Sequence, residues 1–282
     1  MGEFLKRHLW VVFLIHQLLI FVLAVAFLTS VRRITGRTIH GGRDPVGVVD
    51  GAALVALSAG VIFATWALYR WAKGPGATPL GIAPTPRRLL DLIVGILVGF
   101  AFVIWPYVHA LSTGAAAIHE RIDAHFDHLT AARVLCVALF LLLIQSVMEE
   151  TANRAFPMRL WERRSLWFRV FVPSVFFAAL HLADEQFSFE RIGILLLAGI
   201  VQSLTYALTE NIWLTSGVHA GANAAAFSVS GLWYAGAVIS LTGRPSVPNW
   251  AAVGLMLAAF SVAIGLSRRY KMKRLGFSQR AG

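Results

Sequence analysis

Long apolar runs separated by short polar stretches dominate the chain. They fall near residues 9–31, 48–69, 89–112, 131–153, 167–183, 192–209, 211–232 and 249–267. At about 1.5 Å per helical residue, runs of this size are suited to the roughly 30 Å of hydrocarbon in a bilayer. The pattern predicts an all-α fold, a polytopic membrane helical bundle of about eight transmembrane helices. Run 167–183 is short and contains Pro173, and Pro157 follows run 131–153, so kinks are expected at both. The first run continues past Ala24 and Ala26 and is longer than a signal core, which reads as an uncleaved first span. His16 and Gln17 within it are expected to pack between helices. No internal repeat of solenoid length stands out.

Composition agrees with that pattern. Hydrophobic residues make up 57% of the 282, charged residues 14%, and the mean hydropathy is +0.69, a balance rare in water-soluble domains. The net charge of +11 sits in short clusters between apolar runs, where membrane topology and anionic lipid explain it better than nucleic acid. Counting loop charges from a cytoplasmic N-terminus puts Lys6, Arg7, Arg70, Lys73, Arg87, Arg88, Arg159, Arg163, Arg164 and Arg169 inside, together with the tail from Arg268 to Arg280. Both termini are therefore expected in the cytoplasm of a multi-pass cell-membrane protein, although Arg32, Arg33, Arg37 and Arg43 in the first outer loop break the rule. The inner stretch from Lys73 to Arg88 is rich in Gly and Pro and reads as a linker. Cys136 is the only cysteine, so the chain can form no internal disulfide and no cysteine-based metal cage.

Chemistry enters where carboxylates end an apolar run. A charge near the centre of a membrane helix costs about 2.5–3.5 kcal/mol on insertion scales, so Glu149 and Glu150 call for a functional reason or an interfacial one. Spacing of four aligns Ser146, Glu150 and Arg154 on one stripe and Gln145, Glu149 and Asn153 on the next. Glu150 then has an internal cation, while Glu149 has neutral amides and is available for proton chemistry. Later, Phe177 and His181 lie four apart, as do His219 and Asn223. Counting about 1.5 Å per residue from cytoplasmic ends near 159, 167 and 211, these polar groups fall roughly 12 to 21 Å deep and can share one layer. That requires the fourth helix to run on to about Arg159. Gly217 and Gly221 let another helix approach His219 and Asn223 closely. Gln202, Tyr206 and Glu210 form a polar stripe read as a cavity wall.

Between Ala115 and Leu129, His119, His125 and His128 accompany Glu120, Asp123 and Asp127. Asp123 stands where a zincin helix requires its second histidine, and the segment is expected to be the polar face of an interfacial helix.

In order and separation, Glu149-Glu150-x-x-x-Arg154, Phe177-x-x-x-His181 and His219-x-x-x-Asn223 resemble the three motifs of the CAAX-protease and bacteriocin-processing (CPBP, or Abi) family of intramembrane endopeptidases, the type II CAAX proteases. The sequence departs from the family pattern in having Ala155 and Phe156 after the arginine, where glycine often follows. The resemblance divides the chain into N-terminal helices and loops (1–130), a catalytic core (131–232) in the fourth to seventh helices, and a last helix with a basic tail (233–282). It implies a glutamate-type protease that hydrolyses a peptide bond of a membrane-associated or lipidated protein. In such a protease Glu149 activates water, His181 holds it, His219 and Asn223 stabilise the oxyanion, and Glu150, Arg154 and Phe177 support them. No cofactor, metal or nucleic acid is implied, and the partners are a peptide or protein substrate and membrane lipids. The alternatives are a zinc-dependent metallopeptidase using the same cluster, a non-catalytic immunity-type scaffold, and a proton-coupled transporter, for which no inverted repeat is evident.

Overall fold

The computed structural model describes residues 8–35, 48–121, 127–181, 189–230 and 239–242. Their principal elements are helices α1 (Leu9–Thr35), α2 (Val48–Lys73) and α3 (Pro86–Ser112), strand β1 (Ala117–Arg121), and helices α4 (His128–Glu150), α5 (Phe156–Leu160), α6 (Leu166–Leu180), α7 (Phe189–Thr209) and α8 (Ile212–Ser230), with strand β2 (Ile239–Thr242) last. Polar side chains at the run boundaries start several helices. Thr85 accepts from the Arg88 amide before Pro86 opens α3, Asp127 accepts from Leu129 and Thr130 at α4, and Ser165 accepts from Phe168 at α6.

The bundle is apolar outside and partly polar inside. Leu18, Phe63, Leu97 and Trp105 are each more than 60% exposed, whereas His16, Thr65, Ser146, Glu150 and Arg154 are buried. Such a surface is stable only against lipid. Five described helices or helical runs are long and apolar enough to cross a membrane: Leu9–Phe27, Gly51–Lys73, Pro86–Ser112, His128–Leu160 and Ile192–Thr209. The expected number of eight is not reached among the described residues. Helix α6 has 15 residues, about 22 Å, which falls short of the hydrocarbon thickness. Helix α8 carries four polar residues, Thr215, Ser216, His219 and Asn223, of which Thr215 and Ser216 are fully buried. Run 249–267 lies outside the described residues, as do His125 and Asp123.

The fourth span runs on to Leu160, as the depth argument requires, by way of a π-helical turn at Thr151–Ala155 in which the Phe156 amide donates to the Thr151 carbonyl. Pro157 explains the widening: a proline has no N–H for an α-helical bond and its ring crowds the carbonyl four residues back. Ala155 and Phe156, which follow Arg154, are fully buried. Phe156 stacks on His16 at 4.1 Å between ring centroids. His16 in turn accepts at Nδ1 from Gln17 and bonds Thr65 Oγ1 through Nε2 at 2.9 Å. Both polar residues of the first span are therefore packed between helices. Phe13 and Trp10 extend this contact to Trp161 and Phe168.

Helices α3 and α8 pack closely, backbone against backbone. A Cβ on Gly95 would stand 2.5 Å from the Leu214 carbonyl oxygen, and Cβ atoms on Gly99, Gly217 and Gly221 would overlap the carbonyl oxygens of Val218, Leu92 and Ile96. The close partner expected for Gly217 and Gly221 is thus a second glycine pair, Gly95 and Gly99, at the same spacing.

One expectation is overturned outside the bundle. Helix α3 ends at Thr113 with Gly114 at φ +73°, and Ala117–Arg121 forms a strand antiparallel to Ile239–Thr242, with Ala117 opposite Thr242, where an interfacial helix was expected. A left-handed glycine stops a helix, and Ile118 opposite Leu241 suits a strand pair. His119 is exposed there, and Asp127 is the cap of α4.

Candidate active site

Glu149 and Glu150, adjacent on the last turn of α4, have different surroundings. The Glu149 side chain is 14% exposed, and its Oε1 accepts from the Gln145 amide at 2.8 Å. Glu150 is fully buried, with Oε1 3.5 Å from the Arg154 guanidinium and 2.9 Å from His219 Nδ1. The stripe argument is realised in these contacts: Glu150 has the cation and Glu149 a neutral amide. Asn153, the third member of the Glu149 stripe, is buried in the π turn.

His219 joins the two carboxylates. Its Nδ1 meets Glu150, and its Nε2 lies 3.8 Å from Glu149 Oε2. A carboxylate only accepts, so Nδ1 carries a proton, and donation from Nε2 to any other group requires that nitrogen to be protonated as well. Phe177 forms the next layer, its ring 4.1 Å beneath the Arg154 guanidinium and edge-on to His219 at 6.3 Å and His181 at 4.8 Å. A cation over an aromatic face is attractive, the more so when desolvated. His181 caps α6 and donates Nδ1–H to the Phe177 carbonyl at 2.8 Å, which leaves Nε2 with the lone pair of the neutral ring.

A cavity of about 190 Å³ opens beside this cluster, with Arg154, Phe177, Gln202, His219 and Asn223 in its wall. The rest of its lining is aliphatic, mainly Ile194, Leu195, Leu197, Ala198 and Val201 of α7 with Val103 of α3. Asn223 thus belongs to the site as one turn of α8 beyond His219. Neither glutamate lines the cavity; they connect to it through His219. The aliphatic wall of α7 had no signal beyond its apolar pattern. Gly95 and Gly99 had one, the same four-residue spacing noticed in Gly217 and Gly221.

The stripe of Gln202, Tyr206 and Glu210 is only partly a cavity wall. Gln202 lines the cavity and Tyr206 is buried in the main hydrophobic cluster. Glu210 lies past the end of α7 at φ +50° and pairs with Arg159 at 3.0 Å. At that corner Asn211 caps α8, accepting from the Trp213 and Leu214 amides, and reaches Asp91 of α3. Among the described residues no three His, Cys, Asp or Glu side chains converge as a metal site.

Comparison with known families finds a match over the part of the chain that holds this cluster. Residues 131–225 match the Rce1-like family of type II CAAX prenyl endopeptidases. The Rce1-like segment contains both glutamates, Arg154, Phe177, His181, His219 and Asn223. This match supports a protease hydrolase acting within the membrane on a peptide or protein, and the apolar helices make the chain a multi-pass membrane protein. Neither the curated proteins nor the solved structures yield a match.

Proposed function

We propose that the chain is a glutamate-dependent intramembrane endopeptidase of the cell membrane, with both termini cytoplasmic, acting on a membrane-associated or lipidated protein. The observation that carries the reading is the division of labour between adjacent carboxylates. Glu150 is sealed between Arg154 and His219, whereas Glu149 is partly exposed, accepts from the neutral Gln145 amide and has His219 Nε2 3.8 Å away. Glu149 takes a proton from a water held with the help of His181 Nε2, and the hydroxide adds to the scissile carbonyl. His219 Nε2–H and the Asn223 amide donate to the oxyanion as charge develops on it. Protonated Glu149 then delivers its proton to the leaving amine as the C–N bond breaks. Glu150 and Arg154 hold His219 and Phe177 in place, and Phe177 holds His181.

New protein N- and C-termini are compared in membranes carrying wild type, Glu149→Gln or Glu149→Ala at matched levels. Termini found only with wild type, and persisting after exhaustive chelation, support the glutamate reading. Loss on chelation with restoration by zinc favours a metallopeptidase. Identical termini in all three, with folded protein and candidate substrates present, favour a non-catalytic scaffold.

A further inference from the structure

A second cavity, of about 240 Å³, lies away from the cluster, lined by the C-terminal part of α2, the first turn of α3 and the segment that joins them. Its wall comprises Trp66, Tyr69 and Arg70 of α2, Arg88 of α3 and the connecting segment 77–83, with no acidic residue. The cavity is built rather than incidental. Arg70 donates to the Pro75 carbonyl at 2.9 Å, Arg88 donates to the Ala83 carbonyl at 2.6 Å, and Tyr69 donates its hydroxyl proton to the Thr78 carbonyl at 2.8 Å. The two arginine bonds each use one terminal nitrogen of a guanidinium that has five N–H donors. Leu80 anchors the segment by burial in the cluster that holds Phe156 and Tyr206.

Charge and depth indicate what fits. The neighbouring Glu162 is engaged with Lys73 at 2.8 Å, and Glu210 with Arg159, so the cavity's two arginines have no carboxylate in its wall. Trp66 and Trp71, 47% and 42% exposed near the end of a spanning helix, mark headgroup depth, where tryptophan accumulates. An anion at that depth, against two arginines, matches a phosphodiester.

We propose that this cavity binds the phosphodiester of an anionic membrane phospholipid, held by Arg70 and Arg88. The site is independent of the proteolytic reading. Occupancy fastens segment 77–83, and through Leu80 it reinforces the same end of the bundle as Phe156, next to the π turn.

Native mass spectrometry of the full chain in neutral detergent tests this with phosphatidylglycerol, phosphatidylcholine and inorganic phosphate as probes. Wild type retains one phosphatidylglycerol in preference to phosphatidylcholine. Arg70→Gln and Arg88→Gln each weaken that binding about fivefold, and together about 25-fold. Arg133→Gln with Arg163→Gln, the same charge change on exposed residues outside the cavity wall, leaves it unchanged. Thermal unfolding checks each variant, and the single variants decide the matter if the double one does not fold. Equal losses in cavity and control variants, or no loss in either, overturn the proposal. Displacement of the lipid by millimolar inorganic phosphate, which then binds equally well, assigns the site to free phosphate and also overturns it.

Discussion

Replacing Gly99 by alanine adds a single methyl group to helix α3, and its effect follows from where that methyl would sit. It would overlap the Val218 carbonyl oxygen and stand 2.9 Å from the Ala222 nitrogen. Both belong to the backbone of α8, so no side-chain rotation relieves the overlap. Even at Gly95, where the closest atom is 2.5 Å away, ordinary contact at 3.4 Å requires about 1 Å of separation, and Gly99 requires more. Overpacking of this kind costs about 1–3 kcal/mol, against about 0.5–1 kcal/mol gained when alanine replaces a helical glycine. The balance at Gly99 is destabilising by about 1–2 kcal/mol. Gly60 has nothing within 4 Å of its added Cβ, so Gly60→Ala is neutral or stabilising by up to about 1 kcal/mol. Because α8 carries His219 and Asn223, a 1 Å displacement also lowers cleavage, on the order of 100-fold. Thermal unfolding in detergent and cleavage by each variant measure both effects. A Gly99→Ala protein as stable and active as Gly60→Ala would refute the reasoning.

The remaining predictions concern charges and rings. Glu150→Gln leaves the buried Arg154 charge uncompensated and destabilises the protein by about 3–5 kcal/mol, whereas adding Arg154→Met to it recovers part of the loss; denaturation of the single and double variants measures the coupling. Phe177→Ala removes the ring under Arg154 and beside both histidines and costs about 3–5 kcal/mol, read as a fall in the unfolding midpoint. The Lys73 ammonium, followed by the other nearby cations, holds the exposed Glu162 carboxyl below its usual 4.5. A carboxyl depressed on folding stabilises above its unfolded value, and that support is lost as pH falls through the folded one. A pH series of unfolding midpoints should therefore separate wild type from Glu162→Gln above about pH 4.5 and bring them together below it, by less than about 1 kcal/mol for an exposed pair.

The helical membrane architecture was legible because apolar runs of spanning length have few other uses, and the differing surroundings of Glu149 and Glu150 because helical spacing assigns Arg154 to one of them. Running the fourth helix on to Arg159 had to be assumed from sequence, since the apolar run ends near 153 and a kink was expected at Pro157; the π turn absorbs the proline without ending the helix. The site was less complete. His219 meets both carboxylates, a contact between residues 69 apart that no local pattern encodes. Gly95 and Gly99 carried the same signal as Gly217 and Gly221 but lay outside the motif-bearing helices. Segment 117–121 misled because its charges suggested a polar helix face, while its strand depends on a partner more than a hundred residues away. Glu210 continued the spacing of Gln202 and Tyr206, but the chain turns at that residue.

The most direct test of the division between the two carboxylates is the cleavage rate of one identified substrate by wild type, Glu149→Gln and Glu150→Gln, each normalised to folded protein. Loss of the base predicts a fall of about 100- to 10,000-fold for Glu149→Gln with a wild-type unfolding midpoint, and a lowered midpoint for Glu150→Gln. Wild-type cleavage by Glu149→Gln, alongside a folded but inactive Glu150→Gln, would contradict the account.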